Sequence, residues 1–458
     1  MMTVFEKSMF TEALKTDAAA LLAQKVLRVH TDSRSTQAGD LFFAISGDRF
    51  DGHQFVANAL EKGAVAAVIQ RDRAHLLKIS QADPRLIVVE NSLAALRELA
   101  RLYRLSLEIP VIAIGGSNGK TTTKELTHFA LELFHGPRAV FKTKKSENSI
   151  LGIALSLLQI RQEKMAVIEV GIDEPGWMDQ HLEIVQPTHG LITTIHEEHL
   201  EKLKNIEIVA QEELKLLQFL KSHQGGFAAN LDSPWIKSQS FPDQFLTYSL
   251  QTTAHLEARY RPPNTLQVFG LEMRYPLPGL HNAQNLLAAI SITRLLHPEL
   301  RLEDLVELRQ ALPSFRGEDH RSLWLESARG VKVFDDCYNA NPISMESALQ
   351  TFVEIAAGHP MIAVLGDMRE LGESALTAHQ RIINLAGVMG FQHIFLHGPE
   401  FIRAAESLLI VPEGVQIFER IEHLTEELDR VLQPGHAILL KGSRGMKMER
   451  VLDAFEDL

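Results

Sequence analysis

The chain of 458 residues contains one cysteine, Cys337. No internal disulfide can form, which fits a reducing compartment, and one thiol is too few for a thiolate zinc site. Long apolar runs are also missing: no stretch approaches the roughly 18–20 residues of a membrane-spanning helix. Positive charge is in deficit. The formal net charge is -12 and the isoelectric point is near 5.9. That argues against a nucleic-acid binder, which carries a basic face. It does not argue against anionic small molecules, which are held by local groups. The segment MMTVFEKSMFTEALKTD at 1–17 carries charges throughout and lacks an apolar h-region, so no secretory signal is expected there. No repeat or low-complexity tract is seen. The expectation is a soluble, cytoplasmic α/β protein.

What is present is enough apolar residue for sizeable cores, 45% of the chain, and length for about three domains. Up to about residue 106, short apolar runs (LFFAISG, AVAAVIQ, RLIVV) mix with helical segments. From 109 the pattern becomes regular: VIAIGG, MAVIEVG, HGLITTI and GGFAANLD alternate with amphipathic stretches. Such alternation predicts a mostly parallel sheet covered on both faces. YPLPGLHNAQN at 275–285 interrupts it and leads into a helix. Beyond about 313 a second alternating set follows, with strands VKVFDD, MIAVLGD, HIFLHG and HAILLKG. The boundaries drawn are 1–106, 107–313 and 314–458.

The stretch GGSNGKTTTKE, Gly115 to Glu125, carries the chemistry. A strand precedes it, and a helix with Leu126, Phe129, Ala130, Leu133 and Phe134 on one face follows. Glycines let backbone approach an anion, and a helix N-terminus offers free N–H groups and a favourable dipole. Lys120 can neutralise phosphate charge and the Thr121 hydroxyl can ligate Mg²⁺. The spacing is not that of a Walker A loop, G-x-x-x-x-G-K-[ST]; its first glycine would fall on Ile114. The shorter form G-x-x-G-K-[ST], here Gly116, Ser117, Asn118, Gly119, Lys120 and Thr121, with Thr122 following, resembles the ATP loop of the Mur ligase superfamily. Gly116 stands where threonine is commoner, an exchange expected to be harmless.

Further motifs resemble the same family, in order along essentially the whole chain. VFDDCYNANPISM (333–345), VLGDMRELGESALTAHQ (364–380) and ILLKGSRGMKMERV (438–451) match three of its C-terminal motifs. The first departs only at Cys337, where the family has serine. GLHNAQNLLAA (279–289) matches a fourth. The N-terminal block HTDSRS…DGHQF matches the uridine-nucleotide-binding domain.

The resemblance implies three α/β domains: UDP-substrate binding, a central P-loop ATPase and a C-terminal Rossmann-like domain. By it, Asp336 contacts the ATP ribose, and Tyr338, Asn339 and Asn341 shape the site near the phosphates. Lys441, Ser443 and Arg444 join the substrate site. Asn282 and Asn285 reach the adenine end, a helix cap being the other reading of Asn282. Ser33, Arg34, Asp51, Gly52 and His53 contact the UDP-sugar. Glu169, ending its strand, is a Mg²⁺ ligand, a role that suits a hard oxygen donor. Asn148 matches the start of the family's N-N-x-I-G. Arg316 is assigned a phosphate contact, with Arg321 in reserve. His199 is the motif histidine at a second Mg²⁺; the neighbouring HEEH is not a zinc motif, lacking H-E-x-x-H spacing.

One departure bears on metal. The family's A-x-A-K-x-E carries a carbamylated lysine, but here Ala210-Gln211-Glu212-Glu213-Leu214-Lys215 places Glu213 at that position. Glu213 either replaces the carbamate as an anionic oxygen donor or is a solvated helix residue.

The implied activity is ATP-dependent ligation of D-alanyl-D-alanine to UDP-N-acetylmuramoyl-tripeptide through an acyl phosphate, by a monomer. Another single-amino-acid ligase of the superfamily, a folylpolyglutamate synthase, or a non-catalytic nucleotide-binding relative are the alternatives.

Overall fold

Strands form where the apolar runs predict them. The computed structural model describes residues 5–15, 22, 26–47 and 50–454; the segment read for a secretory signal lies partly outside them. The chain parts into two bodies. One comprises residues 1–113, 138–170 and 179–188; the other comprises 114–137, 171–178 and 189–458.

In the first body, β1 (Arg28–His30), β2 (Asp40–Phe43), β3 (Ala66–Gln70) and β4 (Leu86–Val89) pair in chain order, all parallel. The helix Val56–Glu61 lies between β2 and β3, and the helix Ser92–Ser106 follows β4, its N-terminus capped by Asn91 accepting from the Ala94 N–H. Phe42, Val56, Leu60 and Ile69 form the core beneath this sheet. Removing such a side chain from water stabilises by about 1.5–3 kcal/mol. The strand β5 (Val111–Gly115) begins in this body and ends in the other. Beside it here run β7 (Met165–Glu169) and then β6 (Val140–Lys142).

In the second body the strand order is β13-β12-β11-β10-β9-β8, with β8 (His189–Ile192), β9 (Gly226–Asn230), β10 (Leu246–Ser249), β11 (Leu256–Arg261), β12 (Thr265–Val268) and β13 (Leu271–Arg274). β8 to β11 are parallel, while β11, β12 and β13 form an antiparallel ribbon. The alternation of strands and helices did not reveal the ribbon, whose strands are four to six residues long.

A six-stranded sheet follows, ordered β14-β15-β19-β16-β17-β18. Its strands are β14 (Leu323–Glu326), β15 (Lys332–Asp335), β16 (Met361–Gly366), β17 (His393–His397), β18 (Val415–Phe418) and β19 (Ala437–Lys441). Only β14 is antiparallel. β19, last along the chain, is inserted between β15 and β16. The loops after β15, β19 and β16 therefore emerge side by side at carboxyl ends of neighbouring strands, where open α/β sheets hold ligands. Three motifs separated by many residues in sequence become one surface. No helix of the described residues is long and apolar enough to cross a membrane.

Candidate active site

The helix Lys120–His135 starts directly after the glycine loop, with Gly119 as its N-cap at φ 82°. A side chain at Gly119 would bring its Cβ 2.2 Å from the Asn285 Oδ1, and one at Gly116 (φ 115°) would lie 2.2 Å from the Thr193 Oγ1. Backbone conformation and close approach both demand glycine there. The exchange of threonine for glycine at 116 thus fits its surroundings, which leave no room for a Cβ. Ser117 is held from two sides, its N–H donating to the Thr194 carbonyl at 2.7 Å and its hydroxyl to the His196 carbonyl at 2.9 Å. Thr121 and Thr122 are buried at the helix start. Lys120 folds over the loop, its Nζ 2.5 Å from the Gly116 carbonyl and 3.7 Å from Glu198.

Beneath the loop lies Glu213, on the helix Ile206–Ser222. It is 0% exposed, so the solvated-residue reading falls. Its Oε2 accepts the Gly116 N–H at 2.8 Å. Gly115 leaves room for it; a Cβ there would sit 2.7 Å from Oε2. Burial pushes the Glu213 carboxyl up to about 8, with Lys120 pulling it down and Glu198 adding to the rise. Glu198, not singled out from sequence, is 6% exposed. One oxygen on each of Glu198, Glu212 and Glu213 is buried with no hydrogen-bond partner. Buried acidic oxygens left so are a fit for a bound cation.

His199 sits at φ 48° before the short helix Leu200–Leu203. Its Nδ1 lies 2.5 Å from the Glu370 Oε2 and its Nε2 3.5 Å from Asp173. Burial disfavours the imidazolium, but the bond to Glu370 and the charges of Glu198 and Asp173 outweigh it and raise the pKa. Glu370 is correspondingly lowered, chiefly by that hydrogen bond. A carboxylate on Nδ1 is the usual arrangement for a histidine that presents Nε2 to a metal. Because the folded-state pKa is raised, the pair contributes stability fully below the unfolded value and loses it as pH rises through the folded one. Denaturant unfolding as pH rises from about 6.5 should show this slope in the parent chain and a shallower one in Glu370→Gln.

The three C-terminal loops lock together. Lys441, 2% exposed at its side chain, donates to the Asp336 Oδ2 at 2.6 Å and to the carbonyls of Asp336 and Asn339 at 3.1 and 3.0 Å. Ser443 accepts the Arg369 N–H at 2.9 Å and donates to the Ala340 carbonyl. Both residues face inward, so their expected substrate contacts are replaced by a positioning role. Breaking such a buried pair costs about 3–5 kcal/mol. The other Asp336 oxygen accepts from the Ser322 N–H at 2.9 Å. Asn341 caps the helix Pro342–Ile355, and its amide donates to the Asn118 Oδ1 at 2.8 Å. Loop and C-terminal motif thus meet side chain to side chain. Asn339 is exposed. Tyr338 lies under two guanidinium groups, Arg321 at 3.9 Å and Arg444 at 5.6 Å from the ring centre. Arg316 is exposed and makes no hydrogen bond or ion pair among the described residues, whereas Arg321 is packed in.

Asn282 is buried, its amide donating to the Pro278 carbonyl at 2.7 Å and its oxygen accepting from Asn285 at 3.2 Å. It is no helix cap; Gly279 holds that place. Asn285 accepts from the Thr123 hydroxyl and abuts Gly119, so it shapes the loop from behind.

In the first body, Asn148 donates to the Glu169 Oε1 at 3.1 Å, and the Glu169 N–H to the Thr143 hydroxyl. These two matched residues are brought together. The N-terminal block divides. Arg34 is exposed and pairs with Asp32 at 2.7 Å. Ser33 is buried. Gly52 packs against Ile45 backbone, where a Cβ would meet its nitrogen at 2.8 Å. His53 is fully buried, with Nδ1 2.6 Å from Asp51 and Nε2 accepting the Gln70 N–H at 2.9 Å. Both ring nitrogens are engaged, so the expected sugar contact of His53 is corrected to a structural link.

Besides Glu198, sequence reading missed Glu370, Asp173 and Asp367. Asp367 caps the helix Pro399–Glu406 by accepting the Glu400 and Phe401 N–H groups. The only signal for Glu370 was its place inside the GDMRELG motif.

Comparison with known proteins meets this geometry. Three family models match: Mur ligase family, catalytic domain, at residues 25–104; Mur ligase middle domain at 114–293; and Mur ligase, glutamate ligase domain, at 320–444. UDP-N-acetylmuramoyl-tripeptide–D-alanyl-D-alanine ligase of Treponema pallidum is 32% identical, covering 92% of both chains. Its Bacillus subtilis counterpart is 29% identical over 93% of this chain and 92% of its own. Among solved structures, MurF from Acinetobacter baumannii superposes with a TM-score of 0.81 at 26% identity over 99% of each chain. MurF ligase from Thermotoga maritima, in complex with ADP, gives 0.78 at 25% identity, covering 94% of this chain and 97% of that one. A shortened phosphate loop backed by a buried carboxylate, with sequence likeness along nearly the full length, places the chain in the Mur ligase family.

Proposed function

We propose that the chain joins D-alanyl-D-alanine to the terminal carboxylate of UDP-N-acetylmuramoyl-tripeptide, forming ADP and phosphate, in peptidoglycan precursor synthesis in the cytoplasm. The observation that carries this reading is the phosphate loop, with Lys120 over it, Glu213 under it and Asn118 joined to Asn341 of the C-terminal motif. Full-length likeness to ligases of that name supports the choice of substrates.

In this reading residues 1–106 bind the UDP-substrate, 107–313 bind ATP, and 314–458 close on the nucleotide, all within a monomer. The substrate carboxylate attacks the γ-phosphate of ATP, giving an acyl phosphate and ADP. The amine of D-alanyl-D-alanine attacks the acyl carbon, and phosphate leaves the tetrahedral intermediate. Two anions meet in the first step, so cations are the main requirement. Lys120 leaves its resting place on the Gly116 carbonyl for the phosphates. Thr121, in the second body, and Glu169, in the first, are each proposed as Mg²⁺ ligands, and His199 and Glu213 as those of a second Mg²⁺, the latter supported by the orphaned acidic oxygens at Glu198 and Glu213. Bound Mg²⁺ supplies charge neutralisation on the phosphate oxygens. Asp336, held by Lys441, addresses the ribose; Arg316 addresses the phosphates, with Arg321 in reserve; Tyr338, Asn339 and Arg444 line the substrate side. Ser33, Arg34, Asp51 and Gly52 are left to the UDP-sugar.

The test is phosphate release from MgATP and UDP-N-acetylmuramoyl-tripeptide, with and without D-alanyl-D-alanine, in bicarbonate-depleted buffer. Release requiring both substrates is expected. Release only with a single amino acid would point to another branch of the family, and none at all to a non-catalytic relative.

A further inference from the structure

Cys337 follows β15, between Asp336 and Tyr338, and is fully buried. It is not alone. His320, which precedes β14, lies with its Nδ1 2.7 Å from the Asp335 Oδ2. The Cys337 N–H points to the other Asp335 oxygen at 3.3 Å. A His320 ring nitrogen, an Asp335 oxygen and the Cys337 Sγ all lie within 4.8 Å of one another. Among the described residues no other three histidine, cysteine or acidic groups converge so. His320 is tethered as well, its carbonyl accepting the Tyr338 N–H at 3.0 Å. The ligand atoms come from two strands' ends that the sheet holds fixed.

We propose that His320, Asp335 and Cys337 form a mixed-ligand site for a borderline-soft divalent transition metal of the Zn²⁺ class, separate from any Mg²⁺ used with nucleotide. Bonds of about 2.0–2.3 Å to nitrogen, oxygen and sulfur put tetrahedral ligands roughly 3.3–3.8 Å apart, so only small shifts are needed. One nitrogen, one carboxylate oxygen and one sulfur suit Zn²⁺ or Co²⁺, whereas Mg²⁺ and Ca²⁺ prefer all-oxygen sets. His320 is 29% exposed at its side chain and Asp335 2%, so a fourth position opens toward His320, where water can complete the shell. Burial, reinforced by the negative charge of Asp335, Glu449 and Asp336, keeps the thiol protonated in the metal-free chain. Metal binding forms the metal–sulfur bond and releases that proton to solvent. A count of one cysteine excludes a Cys-rich zinc site but not this set. The site pins the base of the Asp336–Asn341 loop, so its occupancy would stiffen that loop.

The experiment is Co²⁺ titration of the full metal-free chain, without nucleotide, read by near-ultraviolet absorbance. A thiolate-to-cobalt charge-transfer band can come only from Cys337, the single cysteine. A saturable one-to-one band is expected, removed by Zn²⁺ but not by Mg²⁺. His320→Ala, at a half-exposed position, should weaken Co²⁺ at least roughly tenfold, and Cys337→Ser should abolish the band with circular dichroism unchanged. No band at excess Co²⁺ in the parent chain overturns the proposal. So does a band whose affinity is unaffected by His320→Ala, which would mean cobalt reaching the thiol without the other ligands.

Discussion

Lys120→Ala is expected to lower ligase turnover by on the order of a thousandfold or more while the chain remains folded. The loss follows from the charge the first step must manage. A carboxylate attacks a polyanionic phosphate, and Lys120 is the loop's own cation. Its Nζ rests on the Gly116 carbonyl and 3.7 Å from Glu198 in the nucleotide-free chain. The fold does not depend on it: Gly116, Ser117 and Gly119 are held by Glu213, Thr194, His196 and Asn285. Steady-state phosphate release with both substrates, beside thermal unfolding, is the measurement. Normal turnover in the folded variant would remove the loop from the mechanism.

Glu213→Gln separates charge from shape. The amide oxygen can still accept the Gly116 N–H, so the loop keeps its support. The charge is gone, and turnover should fall by on the order of a hundredfold, with a rise in the Mg²⁺ concentration needed for half-maximal rate. Stability should move the other way. The Glu213 carboxyl sits near 8 when folded against an ordinary value of 4.5. Between those values the unfolded chain sheds its proton and the folded chain does not. The parent therefore loses stability as pH rises through this window and levels off above it, by a few kcal/mol at most. The glutamine variant lacks the Glu213 share of that slope, matching the parent in acid and exceeding it at high pH. A variant more stable and less active is what a strained functional group produces. Full activity in the glutamine variant would sink the metal-ligand role. Glu213→Ala differs again: it strands the Gly116 N–H and opens a cavity, costing about 2–4 kcal/mol.

The phosphate loop was legible because its function lies in local backbone: glycines where only glycine fits, then a helix start. So were the strands, whose apolar runs are set by burial on both faces. The direction of side chains was not. His53, Lys441 and Ser443 carry the residue types that bind ligands, yet each is turned inward to hold another part of the site. Type and spacing say nothing about which way a buried polar group points. Glu198 and Glu370 were missed for a related reason. Glu370 meets His199 across 171 residues of sequence, and Asn118 meets Asn341 across 223. Such contacts exist only once the sheets have formed. The need for glycine at 116 was hidden for the same reason, because the obstacle to a side chain there, Thr193, comes from a separate strand end.

The placement of β19 has a consequence for biosynthesis. Until residue 441 has left the ribosome, β15 and β16 lack the strand that joins them. A nascent chain that stalls before then carries two unfinished strand edges, the kind that recruit other chains. The partner of Asp336 would also be missing, because Lys441 is the last residue of that strand. Interrupted synthesis would thus yield an aggregation-prone product without an assembled site, rather than a partly working enzyme.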